Sequence, residues 1–71
     1  MIPRIQQQIL GKLAGLCELS SEVRLGQLLA HLGFLAQDMF DRSLWDVDDE
    51  QLLQVIERHR AELSARQANV A

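Results

Sequence analysis

The sequence predicts an all-α domain of three helices, and three observations carry that expectation. Thirteen leucines stand against only three aromatic residues, Phe34, Phe40 and Trp45, a balance that suits a leucine-packed helical core better than a sheet. Apolar residues recur at helical spacing in three segments, separated by polar breaks near Ser20 and near residues 41–48. The third segment also opens with a complete helix-start signal.

The first helix is expected over residues 3–19. Ile2, Ile5, Ile9, Leu13 and Leu16 share one stripe, and Pro3 suits a first turn, where its missing N–H is no loss. Cys17 falls at the edge of that stripe, where an inert buried thiol is the common case. Ser20 and Ser21 break the pattern, and either can cap a second helix over residues 21–40. There Leu25, Leu28, Leu29, Leu32, Leu35, Ala36 and Met39 occupy one arc at about 100° per residue. Phe34 lies opposite that arc, near Gln27, His31 and Asp38, and has no place in the same core. Residues 41–48 read as a connection in which Leu44 and Trp45 plug one end of the core. The third helix is expected over residues 48–65. Asp48 and Gln51 form a capping box, Val47 and Leu52 a hydrophobic staple, and Leu52, Leu53, Ile56 and Leu63 the inner face. Glu62 and Arg66 are spaced as an outer i,i+4 pair. Residues 1–66 thus make one domain and residues 67–71 a frayed tail.

All four glycines, Gly11, Gly15, Gly26 and Gly33, fall inside expected helices, where each costs about 1 kcal/mol relative to alanine. The usual compensation is close approach of another backbone. Gly26 and Gly33, joined by Ala30, flank the leucine arc and are explained by packing within the three-helix unit. Gly11 and Gly15 face away from the isoleucines and are the sharper pointer to a second chain.

Composition narrows function by exclusion. A net charge of -3 argues against nucleic acid or an anionic membrane surface as the main partner. Arg58, Arg60 and Arg66 alternate with Glu57 and Glu62, as on a solvated face. No apolar run approaches a membrane span. One cysteine allows no intrachain disulfide, and a lone thiol behind an N-terminus without a signal-like apolar stretch suits the cytoplasm.

Of the candidate sites, the acidic run Asp46–Glu50 is the most conspicuous. Asp46, Asp48, Glu50 and Glu57 match positions 1, 3, 5 and 12 of a calcium loop, but position 6 is Gln51 rather than the glycine that the turn requires. Helix capping explains the run better. His59 sits in the apolar arc of the third helix, with no second histidine at metal spacing on that helix; His31 lies on the polar face of the second. Neither joins Cys17 in a nameable nucleophile–base–orienter set, so no enzyme, resident metal or cofactor is expected.

The segments Arg24-Leu25-Gly26-Gln27-Leu28-Leu29-Ala30-His31-Leu32 and Leu44-Trp45-Asp46-Val47-Asp48-Asp49-Glu50-Gln51-Leu52-Leu53 resemble a group of small uncharacterised bacterial helical proteins. That group carries an Arg-x-Gly-Gln-Leu-Leu segment followed by an aromatic–acidic–Leu segment, with asparagine at the position of His31. The resemblance covers at most the C-terminal two-thirds of the chain and implies a shared fold, with no established activity. The expectation is therefore a non-enzymatic, self-associating interaction module, a homodimer, with Gly11, Gly15, Arg24, Gln27, Phe34 and Trp45 as interface candidates. A metal- or ligand-binding regulator using residues 46–50 and His59 is the alternative.

Overall fold

A computed structural model describes residues 1–68 and contains three helices, α1 (Arg4–Leu19), α2 (Leu25–Phe40) and α3 (Asp49–Ala68). The expected all-α three-helix fold is the observed one. Residues 69–71 of the expected tail lie outside the described residues, whereas Gln67 and Ala68 belong to α3.

Local chemistry sets each boundary. Pro3 stands at the N-cap of α1, and its carbonyl accepts from the Gln7 N–H at 3.0 Å. The second boundary departs from expectation, since α2 starts four residues later than Ser21. Ser20 ends α1 by donating its N–H to the Leu16 carbonyl, Val23 turns back onto the Ser20 carbonyl at 2.9 Å, and the Ser20 Oγ finds no partner. Arg24 takes the N-cap instead, its N–H donating to Gln27 Oε1 at 3.0 Å. A guanidinium has no acceptor, so only half of the reciprocal box forms there. At Asp48 both halves form. The Gln51 N–H donates to Asp48 Oδ1 at 2.8 Å, and the Asp48 N–H donates to Gln51 Oε1 at 3.1 Å. Such a cap stabilises a helix by about 1 kcal/mol. Val47 and Leu52 both pack partly buried against the core, as the staple requires.

Among the described residues the sole left-handed one is no glycine. Asp41 closes α2 at φ 54°, its N–H donating to the Gln37 carbonyl and its carboxylate accepting from Gln37 Nε2 at 2.8 Å. The side-chain bond helps hold a conformation that favours glycine or asparagine.

The central helix is α3, the least apolar of the three, with α1 and α2 both packed closely on it and making few close backbone approaches to each other. Gln6 Nε2 donates to Asp49 Oδ2 at 3.2 Å, and Lys12 Nζ lies 3.6 Å from Glu57 Oε1, so α1 runs parallel to α3. Leu63 shares a hollow with residues 19–23, which places the start of α2 at the far end of α3, antiparallel to it. The core is Ile9 and Leu16 from α1, Leu28, Leu32, Leu35 and Ala36 from α2, and Val55 and Ile56 from α3. Val55, absent from the expected inner face, is fully buried because α3 meets two helices and so covers a wider arc.

Several apolar side chains stay outside. Trp45 is 93% exposed, which overturns its expected role as a core plug; Leu44 alone of that pair packs against the core. Leu25 and Leu29, expected on the core arc, are exposed at 54% and 38%, and Ile2 is exposed as well. The molecule is flat, 39 × 29 × 19 Å, roughly two helix layers thick.

Candidate functional site

The antiparallel pairing of α2 and α3 brings together two histidines that lie 28 positions apart in the chain. His31 is midway along α2, beside Leu28, Leu32 and Leu35 of the core arc. His59 continues the buried stripe of Val55 and Ile56 one turn along α3, and is the one buried polar residue among those described. Their ring centroids are 4.4 Å apart, with planes tilted by 49°. Glu62, three residues after His59, presents its carboxylate on the same side of α3. A ligand atom from each of the three residues lies within 4.8 Å of the other two.

Hydrogen bonding in this cluster is incomplete. His31 Nε2 and His59 Nδ1 are both buried and neither has a protein partner. Glu62 Oε2 stands 3.9 Å from His59 Nδ1, too long for a hydrogen bond. Glu62 Oε1 is held by Arg58 Nε at 3.3 Å, so the expected pairing with Arg66 is replaced by one a turn earlier. Burial holds the His59 pKa below its usual 6.5; a charge on His31 would lower it further, Glu62 opposes the shift, and Arg66 adds to it. Burial thus favours the neutral imidazole, which keeps a lone pair, over the imidazolium at His59.

The acidic run makes no comparable cluster. Asp46 accepts from Ser43 Oγ, Asp48 caps α3 and Asp49 accepts from Gln6. Helix α3 begins at Asp49, so the segment to Glu57 is not a cation-binding loop, and Glu57 faces Lys12. Cys17 is exposed rather than buried at the stripe edge.

The interface candidates lie at the surface. Arg24, Gln27, Phe34 and Trp45 are exposed, Phe34 at 73%. Gly11 and Gly15 line an open hollow of about 400 Å³ with Lys12, Glu18, Leu19 and Arg60. A Cβ placed on any of the four glycines would meet nothing within 4 Å. Packing inside the unit therefore does not explain Gly26 and Gly33, contrary to expectation: α2 touches α3 along its leucine arc, and its glycine flank faces open space.

The histidine pairing was not legible in the sequence, because spacing along one helix says nothing about which residue of the next helix packs against it. Only the position of His59 in an apolar arc hinted at burial. No known protein family, curated protein or solved structure matches the chain. Among the described residues, no helix is long and apolar enough to cross a membrane.

Proposed function

We propose that the chain is a non-enzymatic interaction module that self-associates as a homodimer through α2. The supporting observation is the mismatch between the composition of α2 and its coverage. Of its sixteen residues only Gln27, His31, Gln37 and Asp38 are polar, yet Leu25, Leu29, Ala30 and Phe34 stay exposed beside the face that meets the core. A helix apolar nearly all round belongs in an interior. Leu25 and Leu29, with Gly26, Ala30 and Gly33 beside them, form a flank over which another helix backbone can approach closely.

The exposed area favours a second copy as the occupant. A compact monomer of 8.1 kDa exposes about 4,500 Å². This chain exposes 5273 Å², and Leu25, Leu29 and Phe34 of α2 are among the large apolar side chains that contribute to it. A 71-residue chain with one cysteine also has no internal disulfide to replace the missing core. Within the described residues Arg24 has no ion pair, so it is free to meet the partner's acidic segment across the interface. Gly11 and Gly15 are secondary here, because charged Lys12, Glu18 and Arg60 rim their hollow.

Sedimentation equilibrium tests the reading. The expected result is a dimer at micromolar concentration that the double substitution Leu25→Glu, Leu29→Glu converts to a helical monomer. A wild-type chain that stays monomeric at high micromolar concentration refutes it.

A further inference from the structure

We propose that His31, His59 and Glu62 bind one divalent transition-metal ion of the zinc class, which clamps α2 to α3. Two imidazole nitrogens and one carboxylate oxygen are a common protein ligand set for zinc when a water takes the fourth position. Nitrogen ligands in the majority select against calcium and magnesium, which take oxygen.

Three features of the site point to a ligand. The His59 side chain is 91% removed from solvent, yet its Nδ1 faces the cluster without a partner. His31 Nε2, from the other helix, is equally unpartnered. An orphaned pair of buried ring nitrogens is costly unless something occupies the space between them. The third ligand is adjustable: the Glu62 side chain is 39% exposed and one turn from Arg58, so it can swing from the guanidinium to an ion. Tetrahedral zinc with bonds of about 2.0–2.1 Å requires its ligand atoms about 3.3 Å apart. The three ligand atoms already lie within 4.8 Å of one another, so reaching that spacing asks for shifts of about 1.5 Å. An ion held this way ties together two helices that no disulfide joins. It stabilises the folded state by mass action.

The test uses the full untagged chain, stripped with chelator and titrated with zinc chloride. One equivalent per chain is expected, with a rise in Tm. Glu62→Gln and His31→Gln should each weaken the affinity at least about tenfold while helix content holds. Cobalt(II) in the same site should give a tetrahedral visible spectrum that Glu62→Gln abolishes, a change that altered stability alone would not produce. Cys17→Ser should leave binding intact. Absence of binding, affinity kept within twofold in both ligand variants, or binding lost with Cys17→Ser would overturn the proposal.

Discussion

At the scale of single residues, His59 shows how burial changes what a side chain contributes. In the sequence it interrupts an apolar arc; in the fold it is 7% exposed and rests on a second histidine. Its folded-state pKa lies below 6.5 because burial, reinforced by His31 and Arg66 against the opposing Glu62, disfavours the imidazolium. The sign of the linkage follows. Well above pH 6.5 the residue is neutral in both states, so the pH has no effect through it. As the pH falls through 6.5 the unfolded chain takes up a proton that the folded chain resists, and stability declines until the pH passes below the folded value. With chelator present, the urea midpoint should therefore drop between about pH 7.5 and pH 5. The drop should be smaller in His59→Gln. Equal drops in the two proteins would show that other groups carry the effect.

Among the elements, the helix starts show which signals act locally. Asp48 and Gln51 cap α3 as their spacing dictates, because both partners lie within one turn of each other. Ser20 and Ser21 offer only a capping side chain with no reciprocal partner three residues on; Ser20 is taken up in closing α1 and Arg24 begins the next helix. The glycines are the other lesson at this scale. Gly15 is helical, at no positive φ, and a Cβ there has open space around it. Gly15→Ala should then stabilise the protein by about 0.5–1 kcal/mol. For a domain this size that is a rise of several degrees in Tm. A fall in Tm would mean that another chain lies over the α1 stripe.

For the whole molecule, the decisive feature is that two helices share one central helix and approach each other less closely than they approach it. The chain's radius of gyration is 12.3 Å, against about 11 Å for a compact domain of its length. Among the described residues the core has eight buried apolar side chains, which is small for a free-standing domain. If a second copy covers α2, folding and association are linked, and Tm should climb with protein concentration. Leu25→Glu, Leu29→Glu should remove that dependence and lower Tm to a constant value. A Tm independent of concentration over two decades in the wild-type chain would separate folding from assembly.

The sequence by itself determined the helices, their approximate ends and most of the core, because helical periodicity and capping are set by residues within a few positions of one another. It also placed Phe34 outside the core, since the opposite side of α2 is read from the same wheel. Only the tertiary structure decided that α3 is central, that Val55 is buried, that Trp45 is not, and that His31 meets His59. Those outcomes depend on the direction and contact angle of helices distant in the chain. A one-dimensional pattern carries the face that each helix buries, but not the helix that it buries that face against.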